Sequence, residues 1–189
     1  MVKRVGLQHC IAVGIANLLD ENKEQDVEDK LFLIYGIEVF LNEFLKIAFA
    51  LMLGGILGAL PLVLFGTVYL ILLRRYAGGR HFQSNGACFA FSVFTLVPVP
   101  MTGYYMHLPF ILQLGSFLLE VALFFVYAPS KVGEVISEKD RRIRKWKTVF
   151  IYVCGLFLAY FMGGDGYANA MLMIGLIAAF ATIEKRQIR

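Results

Sequence analysis

The sequence predicts an all-α protein that crosses a membrane several times, and three observations carry that prediction. Only 17% of its 189 residues are charged and 59% are hydrophobic, against about 25% charged in a soluble domain. No Asp, Glu, Lys or Arg occurs from Ile47 to Leu73, nor from His81 to Leu119. A bilayer crossing takes about 20 apolar helical residues, so each run holds one crossing and part of another. The interruptions between runs are glycine–proline turns or clusters of charge. The expected architecture is about six transmembrane helices plus an N-terminal interfacial amphipathic helix. One integral membrane domain, 1–189, accounts for the whole chain. Residues 1–30 form the interfacial helix and an acidic connector, and 31–189 form the transmembrane core.

Residues 4 to 20 read as the interfacial helix. Leu7, Ile11, Ile15, Leu18 and Leu19 recur at helical spacing, with Lys3, Arg4, Gln8 and Asn17 off that stripe. His9 and Cys10 are adjacent, about 100° apart on a helix, and read as incidental. Asp20 to Lys30 is acidic, with six carboxylates against two lysines. It is a solvated connector or the wet start of the next helix. From Leu31 an apolar helix carries Glu38, Asn42, Glu43 and Lys46 in one polar stripe. The stripe is either an internal Glu43–Lys46 ion pair easing insertion, or the wall of a polar path that binds substrate. Ionisable groups at membrane depth favour the second reading.

Gly54, Gly55, Gly58 and Pro61 mark a reversal, and Leu62 to Leu73 returns as a short crossing. A third crossing starts near Ala87 and is expected to end around Pro98 and Pro100. The fourth runs from Leu108 to Tyr127, with Glu120 inside it, and Pro129 stops it. Residues 131–147 are the most basic stretch, with seven Lys or Arg, among them Arg141, Arg142, Arg144 and Lys145, against three acids. Thr148 to Met162 is a fifth crossing, Gly163-Gly164-Asp165-Gly166 a turn, and Tyr167 to Ile183 a sixth. Lys and Arg gather in cytoplasmic loops. The N-terminus, the 74–80 and 131–147 loops and the C-terminus are basic, and the alternate loops are not. This places both termini and residues 81–88 on the cytoplasmic side.

The chemistry concentrates in Arg74-Arg75-Tyr76-Ala77-Gly78-Gly79-Arg80-His81-Phe82-Gln83-Ser84-Asn85-Gly86-Ala87-Cys88. The thiolate, not the thiol, is the nucleophile, and it needs a base or a positive field. His81 is the histidine near enough in sequence to serve as base. In an unbroken helix the two would be about 10.5 Å apart along the axis, beyond hydrogen-bond reach. The helix must therefore break between them, and Gln83-Ser84-Asn85-Gly86 is breaker chemistry. Ser84 or Asn85 can cap the third crossing, which puts Cys88 in its first turn. There the helix dipole favours an anion and free N–H groups offer an oxyanion hole. Spacing alone fits either a nucleophile–base pair or a small cysteine filling a helix start. Two candidate ligands are too few for zinc, so no metal and no cofactor is expected. No phosphate loop, nucleotide fingerprint or HExxH motif occurs, and no nucleic-acid partner is expected.

The block Arg-Arg-Tyr-Ala-Gly-Gly-Arg-His with a cysteine seven residues later resembles the accessory gene regulator B family (AgrB). So does Tyr127-Ala128-Pro129 opening a basic loop. A second proline usual after that element is absent, and Val135-Ile136 stand near its place. The resemblance, from about residue 30 to 185, implies a membrane cysteine endopeptidase of quorum sensing. It implies His81 and Cys88 as catalytic residues, with Arg74 and Gly79 around the site. The implied substrate is a short AgrD-like pro-peptide, cut on the C-terminal side of the future signal through a Cys88 thioester and closed to a thiolactone or lactone. An amphipathic peptide leader would suit the membrane lipid surface. An acidic tail would suit the basic loop. Pairing of two copies as a homodimer is left open. The alternative is a multi-pass peptide transporter or exporter, with Glu38, Glu43, Lys46 and Glu120 lining its path.

Overall fold

The computed structural model describes residues 7–19, 27–79, 84–130 and 137–183. Among them the chain forms seven α-helices and no strand: α1 (Leu7–Leu19), α2 (Val27–Ile56), α3 (Leu60–Ala77), α4 (Asn85–Leu96), α5 (Pro98–Tyr105), α6 (Phe110–Tyr127) and α7 (Glu138–Thr182). The chain divides into two compact units, Met1–Phe49 and Ala50–Arg189, with the boundary inside α2.

Among the described residues five stretches are long and apolar enough to cross a membrane: α2, α3, Gly86–Tyr105, α6 and α7. With 45 residues, α7 would be about 68 Å long if straight, at 1.5 Å per residue, more than two hydrocarbon thicknesses. It is broken at Gly163 (φ −153°, ψ 21°) and Gly164 (φ 63°, ψ −151°). The left-handed Gly164 backbone is one an L side chain rarely adopts. Beyond the break the chain turns back, because Gly175 lies against the Tyr152 ring. The two arms of α7 therefore lie side by side and count as two crossings, six in all among the described residues. The glycine turn expected at 163–166 is thus confined to two residues, with helix resuming at Asp165.

Two other expectations are corrected. The third crossing does not end at its prolines. Pro98 stands in the first turn of α5, where a missing N–H leaves nothing unsatisfied. Pro98 therefore starts a helix that runs on to Tyr105, with a break only at Val97. The second crossing is also longer than Leu62 to Leu73. Pro61 opens α3, and Arg74 and Arg75 lie in its last turn. At 18 residues it spans about 27 Å, close to the hydrocarbon thickness of about 30 Å. Before it, the reversal is a turn at Leu57–Ala59 in which Gly58 takes φ +69°, while Gly54 and Gly55 stay helical.

In the second unit α7 is the central element and packs against α3, α5 and α6. Its core includes Leu73 and Val63 of α3, Phe124 of α6, Tyr152 of the first arm, and Met171 and Ile174 of the second. Phe124 and Phe117 both meet the Tyr152 ring, at centroid distances of 5.4 and 5.8 Å. Small residues set the closest approach. At Gly103 an added Cβ would stand 2.8 Å from Ala170 Cα and from Asn169 O. The Asn169 amide donates to Met106 O at 2.9 Å and ties the end of α5 to the second arm. Phe110, Ile111, Phe157 and Phe161 are exposed, as lipid-facing side chains of a membrane bundle are.

Candidate active site at the start of α4

Ser84 is the N-cap of α4, with extended backbone (φ −98°, ψ 125°). Its Oγ accepts from the Ala87 N–H at 3.5 Å, and its carbonyl accepts from the Cys88 N–H at 3.0 Å. Cys88 therefore completes the first turn, where the helix dipole is most positive. Its side chain is 8% exposed. Asn85 occupies the first helical position. The N–H groups of that position and the next have no partner within any α-helix, so they are available to a developing oxyanion. None of the three cysteines is in a disulfide; Cys10 and Cys154 are exposed.

Facing loops converge on the end of α3. The Arg74 carbonyl accepts from Gly78 N–H at 3.0 Å, and the Ala77 carbonyl accepts from Ser130 N–H at 2.8 Å. The second bond fixes the segment Tyr127-Ala128-Pro129-Ser130 to the α3 terminus. Gly78 takes φ +72°, and a Cβ there would meet Ser130 Cβ at 3.1 Å. A Cβ at Gly79 would lie 3.9 Å from Arg74 Nε and 4.0 Å from Ala181 Cβ. Arg74, Gly79, Ser130 and the end of α7 thus share one corner of the bundle. Both Arg74 Nε and Ser130 Oγ are buried there. Ser130 was not singled out by sequence reasoning; only its place after Tyr-Ala-Pro pointed to it. His81, Arg80 and the side chain of Asn85 lie outside the described residues, and so does the expected approach of His81 to Cys88.

The other candidate residues fall into separate groups. Glu43 accepts from the Lys46 amine at 2.6 Å, the internal ion pair that the spacing allowed. Glu38 pairs with His9 Nδ1. His9, read as incidental from the sequence, is a partner in this ion pair. Glu120 is fully buried inside the packing of the second unit. Its carboxyl meets Gly175 and clusters with the buried Tyr152 and Tyr69 hydroxyls, neither of which the sequence flagged. Arg141 lies 3.7 Å from Glu138, and Arg142 is exposed. Lys145 stands over the Phe125 ring, 4.9 Å from its centre. Among the described residues no group of His, Cys, Asp and Glu could hold a metal ion.

The Ser84 cap supports a first prediction. Ser84→Ala removes a cap contribution of about 1 kcal/mol and frays the turn that covers Cys88. In a background lacking Cys10 and Cys154, the variant should react with iodoacetamide about fivefold faster, the factor that 1 kcal/mol allows when the reactive form is the opened one. Ser84→Asp should restore the wild-type rate. An unchanged rate in Ser84→Ala would mean the cap does not hold this turn.

Fold and site together define a multi-pass α-helical membrane protein that carries a thiol in the first turn of a membrane helix. The profile of accessory gene regulator B (AgrB) matches residues 12–184. The chain belongs to the AgrB family. It is also similar to Protein FsrB of Enterococcus faecalis (strain ATCC 47077 / OG1RF), 27% identical over 161 residues, which cover 84% of this chain and 66% of FsrB. The chain thus spans just under two thirds of that relative's length. No solved structure matches it.

Proposed function

We propose that this protein is an integral membrane cysteine endopeptidase that processes a short quorum-sensing pro-peptide and releases it as a cyclic thiolactone or lactone. The observation that carries the reading is Cys88 in the first turn of α4, capped by Ser84, within the block by which the chain resembles its family. A thiol there has a helix dipole to favour its anion and backbone N–H groups ahead of it. Family membership supports the substrate class.

In this mechanism His81 takes the Cys88 proton, and the thiolate attacks the carbonyl at the C-terminal side of the future signal. The tetrahedral oxyanion is held by N–H groups at the start of α4. The C–N bond breaks, the imidazolium protonates the departing amine, and the N-terminal part stays on Cys88 as a thioester. A Cys or Ser of the peptide then gives its proton to the now neutral His81, attacks the thioester, closes the ring and expels the Cys88 thiolate, which the imidazolium can reprotonate. Exchange of one thioester for another is nearly isoenergetic, so ring closure needs no ATP. Arg74, with its buried Nε beside Gly79, would orient the peptide backbone near the thiol. The basic-loop distribution supports a site, and both termini, on the cytoplasmic side. There Arg141, Arg142 and Arg144 would meet an acidic peptide tail.

Two experiments test this. Co-expression with the short open reading frame beside its gene, followed by mass spectrometry, should give the cyclic product and the linear C-terminal fragment. A fragment-free culture with both proteins present would sink the assignment. The second concerns the tail. Neutralising Arg141, Arg142 and Arg144 together to Gln should raise KM about tenfold for an acidic-tailed peptide and leave a neutral-tailed one within about twofold. Exposed charge contacts are individually worth under about 1 kcal/mol, so single changes should be mild. Equal use of the two peptides by the wild type would remove the role given to these arginines.

A further inference from the structure

We infer that Lys145, Trp146 and Lys147 of α7, with the facing ends of α3 and α6, form a binding surface for the headgroup of an anionic phospholipid. Residues 138–147 hold six basic and two acidic side chains, and the apolar part of α7 begins directly after them. At that transition three neighbours on the helix are arranged around aromatic rings. Lys145 Nζ stands 4.9 Å from the Phe125 ring centre on α6. Lys147 Nζ stands 5.4 Å from the Tyr76 ring centre on α3. Between them Trp146 packs edge-on against Phe125, with centroids 5.8 Å apart and planes at 77°.

Trp146 is 59% exposed, and Ile143 and Phe150 beside it on the helix are exposed as well. Indole and phenol rings concentrate where hydrocarbon meets headgroups. An exposed Trp146 between two ammonium groups marks that level on this protein. The exposed apolar members of the face, Ile143, Trp146 and Phe150, suit acyl chains with a headgroup above them better than the aqueous peptide tail proposed for Arg141, Arg142 and Arg144 nearer the start of the helix. The two lysines lean to opposite sides of Trp146, one toward α6 and one toward α3, so they suit phosphodiesters in the leaflet on both sides. The charge should select among headgroups. Phosphatidylglycerol presents an uncompensated phosphate, whereas phosphatidylcholine carries its own cation, which the lysines repel. This inference does not rest on the proposed peptidase reaction, and its test uses no pro-peptide.

Trp146 is the single tryptophan of the chain, so its fluorescence reports this surface alone. The full-length protein is placed in phosphatidylcholine nanodiscs containing either brominated phosphatidylglycerol or, at the same mole fraction, brominated phosphatidylcholine. Brominated phosphatidylglycerol should quench Trp146 at least threefold more strongly, and added salt should shrink the difference. Lys145→Gln with Lys147→Gln should make the two lipids equal. Lys145→Arg with Lys147→Arg keeps the charge and should keep the preference. Equal quenching in the wild type, or a preference untouched by the double Gln change or lost in the double Arg change, overturns the inference. So does displacement of the brominated phosphatidylglycerol by a soluble acidic peptide at micromolar concentration, which would make this a peptide site.

Discussion

Replacing Cys88 by Ala should lower the proposed pro-peptide cleavage by roughly 10⁴-fold or more, the scale seen when a covalent nucleophile is removed. Cys88→Ser should fall nearly as far, because a hydroxyl is a weak nucleophile at neutral pH without strong activation. On the proposed mechanism His81→Ala removes the general acid–base and should cost about 10²–10⁴-fold. The structural cost of either Cys88 change is small. The side chain is buried at 8% exposure in a first turn whose backbone bond, from Cys88 N–H to Ser84 O, is kept by any non-proline residue. Loss of a sulfur from a buried site costs about 1–2 kcal/mol, well below the effect on the reaction. The variants should therefore insert and migrate like the wild type. Purified protein in liposomes, with release of the C-terminal fragment followed by mass spectrometry, checks this. Cleavage by Cys88→Ala within tenfold of wild type would remove the thiol from the mechanism. Unimpaired appearance of an exported product in the same variant would favour a transporter.

The largest stability effect should come from Gly103→Val. The Cβ would stand 2.8 Å from Ala170 Cα, 2.8 Å from Asn169 O and 3.0 Å from Ala170 N. All three neighbours are main-chain atoms, which cannot rotate away as a side chain can. The α5 helix would have to lift from the second arm of α7 and stretch the Asn169–Met106 bond. Overpacking of this kind costs about 3 kcal/mol. Gly115→Ala in α6 is the matched control, since its Cβ meets nothing within 4 Å. That change should fall within about 0.5 kcal/mol of wild type. Unfolding in detergent followed by circular dichroism compares the two. Coincident midpoints would mean that α5 and the second arm are not held at this distance.

What the sequence determined by itself was everything that depends on neighbours along the chain. Charge-free runs over 47–73 and 81–119 required membrane helices, and glycine, proline and charge clusters marked where they stop. The relation of Ser84 to Cys88 was legible because an N-cap and the residue four positions on are joined by one turn of backbone. The prolines at 98 and 100 misled because proline marks both the end of one helix and the start of the next; the tie was broken by the helix continuing to Tyr105.

Only the tertiary structure decided which helix faces meet. A soluble helix shows its buried face as an apolar stripe. In lipid the outer face is equally apolar, so hydrophobicity no longer separates Phe124, wholly buried, from Phe125, half exposed. For the same reason no pattern announced that Gly103 would lie against Ala170, or that Glu120 would be sealed beside Gly175 and Tyr152. The Ser130 tether to Ala77 likewise joins residues far apart in sequence. Such contacts are chosen by the shapes of packed surfaces, and those exist only once the helices have come together.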